Sequence, residues 1–197
     1  MSIHAEQPSQ ILQVYRDFLK PGSETAYQQI ENDAARICVE RGCPHPYVGM
    51  ESLTGAKEVW FLNGHASSTE QKQVAADYTK NAPLLAALAE ITKRKQGLIR
   101  EPVEVFANYR SDLSRGRFLV VTVTKGNGKT EGTVFETQDG TRLIFTPAQS
   151  LHEAQVKAAA RGSEAIVFAV RPNWSMPAKG WVAADPPFWK SRPALSK

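Results

Sequence analysis

The sequence predicts an α+β fold, and three observations support that prediction. Over the first 110 residues, strand-like and helix-like segments follow one another in the order strand, helix, strand, strand, helix, strand. A shorter series of a strand, a hairpin, a helix and a strand follows between residues 117 and 172. The chain has 197 residues, of which 42% are hydrophobic and 22% are charged, which is typical of a globular protein that buries a sizeable core.

The series opens with a strand and a long helix. Ile11–Phe18 alternates between apolar and polar residues and is followed by Pro21-Gly22, which predicts a half-buried strand that ends in a turn. Ser23 is then predicted to cap a helix whose apolar residues recur at helical spacing. Gly42 is expected to end that helix.

A hairpin, a second helix and a fourth strand complete the series. Two β-prone runs, 47–53 and 57–63, flank a Thr-Gly turn and predict an antiparallel hairpin. Ser68–Gln71 matches a capping box and predicts the start of a helix, and Val103–Tyr109 is predicted as a strand. This order is ferredoxin-like, so residues 10–110 are assigned to one ferredoxin-like half.

Residues 117–172 have the same order of elements without the first helix. The predicted strands and helix are Phe118–Val123, Thr133–Thr137, Thr141–Thr146, Leu151–Ala160 and Ala165–Val170. Asp139-Gly140 separates the two middle strands and is a strong hairpin signal. We therefore predict a second, shorter ferredoxin-like half and a degenerate internal repeat.

The positive charge of the chain is confined to its C-terminal segment. The formal net charge is +4, yet residues 1–170 carry 19 basic and 19 acidic side chains. The excess lies in the last 27 residues, which are rich in proline and tryptophan. A nucleic-acid-binding surface usually has a denser basic face, so we do not expect nucleic-acid binding. Residues 173–197 are predicted to form an extended arm packed over the sheet or a partner subunit, or else an aromatic lid over a pocket.

Membrane and redox signals are weak in this sequence. No stretch approaches the roughly 18 apolar residues of a membrane span, and the first residues lack the features of a signal peptide. Cys38 and Cys43 are the only cysteines, which argues against a disulfide scaffold and favours a cytoplasmic location. Cys38 falls on the apolar face of the first helix, where a buried thiol is expected. No recognisable metal-ligand spacing is present, so no metal is expected.

Five polar or aromatic side chains are the candidates for a binding site. Arg16 shares a strand face with apolar residues and needs a carboxylate or an anionic ligand as its partner. His65 and Asn63 alternate along the third strand, Tyr78 lies on the inward side of the second helix, and Tyr109 ends the fourth strand. They are expected to line a cleft between the sheet and a helix. The alternative is an ion-paired arginine, a histidine at the rim and two tyrosines that only pack.

One family resemblance rests on these elements. Val14–Gly22, leading into a helix with Tyr27, resembles the opening of NIPSNAP-type and antibiotic-biosynthesis-monooxygenase-type domains. The hairpin over Tyr47–Asn63 and the helix after Ser68 fit the same layout, so the resemblance covers residues 10–110, with a weaker second copy after them. It implies a dimeric α/β barrel, closed either within one chain or across a homodimer.

The resemblance also implies a range of functions. The superfamily includes cofactor-free oxygenases, haem-degrading enzymes and domains with no known activity. We expect a small-molecule-binding protein, with a cofactor-free monooxygenase-like enzyme as the leading hypothesis and a non-catalytic assembly module as the alternative. In the enzyme, His65 is the candidate acid or base and Arg16 the group that stabilises an anion or enolate. Asn63, Tyr78 and Tyr109 are the candidate substrate-binding residues.

No cofactor is expected. Haem-degrading members of this superfamily present a histidine ligand from a helix, and His152 is the one candidate in a predicted helix. It lies in the second half, near a helix start, which argues against haem, so haem is kept only as the alternative to the absence of a cofactor.

Overall fold

The computed structural model describes residues 11–109, 115–125 and 131–194. Within these ranges there are eight strands and five α-helices. The strands are β1 (Ile11–Leu19), β2 (Val48–Ser52), β3 (Glu58–His65), β4 (Ile99–Tyr109), β5 (Phe118–Lys125), β6 (Thr133–Thr137), β7 (Thr141–Ala148) and β8 (Ala165–Val170). The helices are α1 (Glu24–Arg41), α2 (Ser68–Lys80), α3 (Ala82–Gln96), α4 (Leu151–Arg161) and α5 (Lys179–Ala184).

The strands form one closed barrel within a single chain. Around the barrel the order is β1-β3-β2-β8-β5-β7-β6-β4, and each of these pairings is antiparallel. The predicted α+β class is therefore confirmed. The sequence left the route of closure open, and here β2 meets β8 and β4 meets β6 without a second chain.

The lumen of the barrel is a packed core. Side chains alternate along each strand, so that Leu12 and Val14 of β1 point inward and are fully buried. Trp60 of β3 contacts Phe168 and Phe145 across the lumen, with ring centroids 5.0 and 6.3 Å apart. An eight-stranded barrel has an interior that side chains can fill, as these do.

The helices α1 and α3 pack against each other on the outer side of β1 and β3. Tyr27 of α1 is fully buried against Val59 of β3, and Ile30 of the same helix packs with Ile91 of α3. The helices do not seal the sheet completely, because smaller side chains such as Ala34 leave room between the layers.

The first helix ends at Gly42, as the sequence predicts, but two other features of this helix differ from the prediction. Gly42 adopts a left-handed conformation with φ +71°, which turns the chain back beside the last helical turn. That turn brings Cys43 to Cys38, and the two form a disulfide with Cα atoms 4.7 Å apart. The prediction of a free thiol at Cys38 is therefore wrong, although its burial is as expected. Ser23 is the N-cap residue, but its hydroxyl donates to the Lys20 carbonyl instead of accepting from the helix.

The C-terminal segment closes one end of the barrel of its own chain. Over residues 173–194 it is not a single extended arm, because it contains α5 and short 3-10 turns. Trp181 and Trp189 are buried and join the core cluster of the lumen. Arg117, the residue before β5, forms an ion pair with Asp185, at 2.7 Å.

Two further sequence predictions bear on these described ranges. None of their helices combines the length and the apolar character that a bilayer crossing requires. The predicted boundary between the two series of elements, at residues 110–116, falls mainly on residues outside the described ones.

Candidate functional site

A cleft of about 700 Å³ lies between the outer face of β1 and β3 and the helices α1 and α3. Its walls are mainly aromatic and aliphatic, formed by Tyr15, Ala34, Tyr47, Phe61, Tyr78, Leu88, Ile91 and Ile99. Its polar lining includes Asp17, Glu31, Asn63, Thr92, Lys95 and Gln96. This size and this mixture are typical of a small-molecule site, in which apolar walls surround a few polar groups.

A carboxylate pair and a lysine form the buried charged part of the cleft, and the exposed Arg100 also lines it. Glu31 is 3% exposed and forms an ion pair with the Lys95 ammonium. The same ammonium lies 3.9 Å from Asp17 Oδ2, and the Tyr27 hydroxyl donates to that oxygen at 2.5 Å. Burial raises the pKa of Glu31, while the Lys95 charge opposes this effect. Two acids therefore share one cation in a site with little access to water.

Local structure explains how these three charges meet. Asp17 lies on the helix-facing side of β1, and Glu31 follows Tyr27 by one turn on the buried face of α1. Lys95 is in the last turn of α3, and its ammonium lies 5.2 Å from the ring centres of both Tyr27 and Phe61. The aromatic faces stabilise the cation along its path into the cleft.

The tyrosines of the cleft remain protonated at neutral pH. Burial, followed by the charge of Glu104, raises the pKa of Tyr15 to about 12. Burial likewise raises the pKa of Tyr47 and the pKa of Tyr78. Each hydroxyl is therefore neutral; those of Tyr47 and Tyr78 can donate a hydrogen bond to a ligand, whereas that of Tyr15 is hydrogen-bonded to Glu104.

Two of the predicted site residues line this cleft. Asn63 lies on the outer face of β3, and Tyr78 faces the cleft from α2. Tyr109 is the last residue of β4, where its backbone pairs with Phe135 of β6. Its side chain lies outside the described part of the chain.

His65 lies beyond the cleft but is linked to it by hydrogen bonds. It follows Asn63 on the same face of β3, is 1% exposed, and stacks on His45 with ring centroids 4.3 Å apart. Its Nε2 lies 3.1 Å from Gln13 Oε1, and Gln13 Nε2 donates to the Tyr15 hydroxyl at 2.6 Å. Burial, with a smaller effect of His45, lowers the pKa of His65 to about 4, so the imidazole is neutral at neutral pH.

Arg16 points to the opposite side of the sheet. Its Nη2 donates to Glu58 Oε2 at 2.7 Å, and Trp60 Nε1 donates to the same oxygen at 2.7 Å. The guanidinium also lies 4.6 Å from the Trp60 ring centre. The carboxylate that the sequence required for Arg16 is therefore Glu58, and the sheet itself separates Arg16 from the cleft.

The charged residues of the cleft are not among the site residues predicted from the sequence. Glu31 carried a usable signal, because it interrupts the apolar face of α1 between Ile30 and Ala34. Lys95 carried none, because it belongs to a run of three basic residues at a helix end, where cations are common. Their pairing depends on how α1 and α3 pack, which no local pattern shows.

The polar side chains that line the cleft are hydrogen-bonding and charged groups. Over the described ranges, no group of three or more His, Cys, Asp or Glu side chains is arranged to hold a metal ion. His152 is exposed on α4 and does not contribute to the cleft.

Two solved structures match this chain over most of its length. A Fusobacterium nucleatum protein provisionally named a monooxygenase matches with a TM-score of 0.51 and 11% identity, over 84% of this chain and 94% of that one. A Lactobacillus acidophilus protein named in the same way matches with a TM-score of 0.50 and 6% identity, over 82% and 94% of the two chains. The chain has the fold of these two proteins.

The other comparisons give a weaker match or none. A NIPSNAP family protein from Agrobacterium tumefaciens matches with a TM-score of 0.42 and 14% identity, over 57% of this chain and 95% of that one. No family model and no curated protein matches the sequence. The resemblance predicted from the sequence to monooxygenase-type barrels is thus confirmed among solved structures, and at these identities it concerns the fold alone.

Proposed function

We propose that the cleft binds a flat hydrophobic molecule with an acidic hydroxyl or enolisable carbonyl, and that the protein is a cofactor-free monooxygenase-like enzyme. The observation that supports this function best is the cleft itself, whose aromatic walls lead to Glu31, Asp17 and Lys95. The names given to the two proteins of the same fold agree with it.

The charged residues have complementary roles in this proposal. The Glu31 carboxylate accepts the proton of the substrate hydroxyl, since burial makes it a stronger base than an ordinary glutamate. Lys95 then faces the substrate anion and stabilises its charge. Dioxygen is the oxidant: one of its atoms enters the substrate as a carbonyl oxygen, and the other leaves as water with the two hydrogens that the substrate loses. Asn63 and Tyr78 orient the substrate by hydrogen bonding.

His65 is a positioning residue in this proposal. Its Nε2–H donates to Gln13 Oε1, which fixes the amide so that Gln13 Nε2 donates to the Tyr15 hydroxyl. His65 thereby orients a tyrosine of the cleft instead of meeting the substrate itself. Arg16, held by Glu58 in the lumen, has a structural role.

The test combines binding with oxygen consumption. A panel of naphthols and dihydroxynaphthalenes is titrated, the phenolate absorbance reports proton transfer, and an oxygen electrode reports turnover. Glu31→Gln is expected to bind a substrate of the panel but to lose at least 100-fold in kcat, and Lys95→Met to lose the phenolate signal.

Matched variants on the same helices serve as controls. Glu40→Gln on α1 and Lys93→Met on α3 change exposed charges outside the cleft and are expected to behave as wild type. The proposal is overturned if the wild-type protein binds no compound of the panel, or if Glu31→Gln and Lys95→Met match their controls.

Self-association is a second candidate function. Tyr15 and Phe106 lie on the outer face of β1 and β4 and are 42% and 45% exposed, so this face offers apolar area for a partner copy. Sedimentation of wild type and Phe106→Glu tests this: a dimer that the variant disrupts supports an assembly role, and a wild-type monomer rules it out.

We also propose that the barrel consists of two related ferredoxin-like halves. The strand order β4-β1-β3-β2 is matched by β8-β5-β7-β6 when the strands of each half are numbered along the chain. The helix α4 stands between β7 and β8 as α2 and α3 stand between β3 and β4. This correspondence supports a degenerate repeat whose second copy shows no counterpart of α1 among the residues that the structure describes.

A further inference from the structure

A second groove, of about 710 Å³, lies on the outer face of β5 and β7 beside α4. It is built from the second series of strands and shares no lining residue with the cleft beside α1. We propose that this groove binds a polar small molecule through an oxyanion group, a phosphate or a carboxylate. The volume is that of a site for a metabolite-sized molecule.

The charges of the groove favour an anion. Four basic side chains line it, and they approach from three elements: Lys125 from β5, Arg142 from β7, and Lys157 and Arg161 from α4. Glu131 and Glu164 are its two acidic lining residues. The balance of these lining charges is thus positive, and the cations surround the groove from several sides instead of forming one exposed run.

The wall between these cations carries hydroxyl groups. Thr122, Thr124 and Thr146 alternate with inward-facing residues and point outward into the groove from neighbouring strands. Thr122 is 9% exposed, and its Oγ1 has no hydrogen-bond partner within the part of the chain that the structure describes. A buried hydroxyl without a partner costs stability, and an oxyanion at this position would accept its hydrogen bond.

The contacts of three of these cations, Arg161, Lys125 and Lys157, leave part of their hydrogen-bond donors unused. One Arg161 Nη2 group donates to the Glu131 carbonyl oxygen, which leaves other donors of the same guanidinium. Lys125 pairs with Asp139 at 3.3 Å, and both side chains are more than 60% exposed, so this pair is weak and easily exchanged. Lys157 Nζ donates to the Pro147 carbonyl at 2.7 Å and forms an ion pair with Glu153 at 2.5 Å, which leaves one of its three N–H donors for a ligand.

The backbone beneath the cations is closely packed. Gly132 has φ +125°, and a Cβ at this position would lie 2.6 Å from the Phe145 carbonyl oxygen and 2.8 Å from Thr146 Oγ1. Only glycine permits this approach of the chain to β7. The chain at Gly132 therefore packs directly against β7 at the edge of the groove, and the polar walls of the groove contrast with the aromatic walls of the other cleft.

The experiment is a calorimetric titration of the full-length chain at constant ionic strength, with pyrophosphate and citrate as the two probes. Saturable binding of either probe is expected. Arg161→Gln should weaken it at least tenfold, and Thr122→Val, which keeps the side-chain shape, several-fold. Arg36→Gln and Thr79→Val are matched controls on α1 and α2, outside the groove, and should leave the affinity unchanged.

The relative affinity for the two probes identifies the oxyanion group of the ligand. Preference for pyrophosphate identifies a phosphate ligand and preference for citrate a carboxylate, and both support the site. Thermal unfolding of each variant establishes that it is folded. Absence of saturable heat with both probes, or an equal loss of affinity in the control variants, would overturn the proposal.

Discussion

Glu58 is an acidic residue inside the barrel that accepts three hydrogen bonds on one oxygen. Arg16 Nε and Nη2 supply two of them, and Trp60 Nε1 supplies the third. The Glu58 side chain is 4% exposed, so the pair is largely removed from water. Such a pair adds little when intact, but the loss of one member leaves the other charge buried without compensation.

We therefore expect Glu58→Gln to be strongly destabilising. The free energy of unfolding should fall by about 3 kcal/mol, since the Arg16 charge stays in the lumen without its counterion. Urea unfolding followed by circular dichroism measures the change. The double variant Arg16→Met, Glu58→Gln should recover part of the loss, and a single variant as stable as wild type would contradict this account.

The second prediction concerns pH and His65. The pKa of His65 is lowered from 6.5 to about 4 in the folded protein, first by burial. The unfolded chain therefore binds a proton between these values while the folded protein does not, and stability decreases as the pH falls from 6.5 towards 4. We expect His65 to account for about 2 kcal/mol of this decrease, allowing for partial screening by solvent.

Chemical unfolding at pH 7 and pH 4.5 tests the assignment. In His65→Gln the decrease between the two pH values should be smaller, because the group that titrates is gone. His152→Gln changes an exposed histidine on α4 and should keep the wild-type pH dependence. An identical pH dependence in both variants would show that other groups are responsible.

At the scale of single elements, the start of α2 offers a sharp comparison between two adjacent serines. The sequence predicted a capping box from Ser68, whereas the structure uses Ser67, whose hydroxyl accepts from Glu70 N–H at 3.1 Å. Glu70 Oε2 in turn accepts from the Ala66 N–H at 2.5 Å. The motif is thus present, one residue before its predicted position.

Ser67→Ala should therefore cost about 1 kcal/mol of stability, because a backbone N–H at the helix start loses its partner. Ser68→Ala is the matched control and should change stability much less, since Ser68 is the first helical residue and is exposed. Thermal unfolding of the two variants decides between the positions. Equal effects would mean that the cap is of little importance here.

Element positions were largely predictable from the sequence, and the reason is local. Period-two alternation and turn residues located β6 and β8 at their observed bounds, and helical spacing located α1. The start of β4 was predicted four residues late, because Pro102 and two charged residues conceal a strand that begins at Ile99. A proline and charged residues can lie on an exposed strand, but a local sequence pattern does not indicate where they do so.

The candidate site was less predictable, because it depends on which face of the sheet meets the helices. Alternation correctly grouped Asn63 with His65 on one face and Arg16 with Leu12 on one face. It did not show that these are opposite faces, one toward the helices and one toward the lumen. That distinction follows from barrel closure and from the packing of α1 on α3, both of which join residues far apart in the chain.

At the scale of the whole molecule, the C-terminal segment is predicted to be part of the core and not an appendage. Trp189 is 2% exposed and packs with Trp181 and Phe188 at the end of the barrel. Trp189→Ala should lower the free energy of unfolding by about 3 to 5 kcal/mol, because it removes a large side chain from a packed region. Urea unfolding measures this loss.

The matched control acts on the same segment. Asp185→Asn removes the ion pair with Arg117, which is open to solvent, and should change stability little. A large effect of Asp185→Asn together with a small effect of Trp189→Ala would mean that charge, and not burial of the tryptophan, holds the segment in place.

Closure of the barrel within one polypeptide has a consequence for how the protein can change. In an assembly of two identical chains, every substitution occurs twice, at positions related by symmetry. Here each of the eight strands is encoded once, so a substitution alters one side of the barrel and leaves the other as it was. The barrel carries an aromatic, acidic cleft beside α1 and a basic, hydroxyl-lined groove beside α4. These two sites can therefore evolve separately, because a substitution in one of them does not change the other.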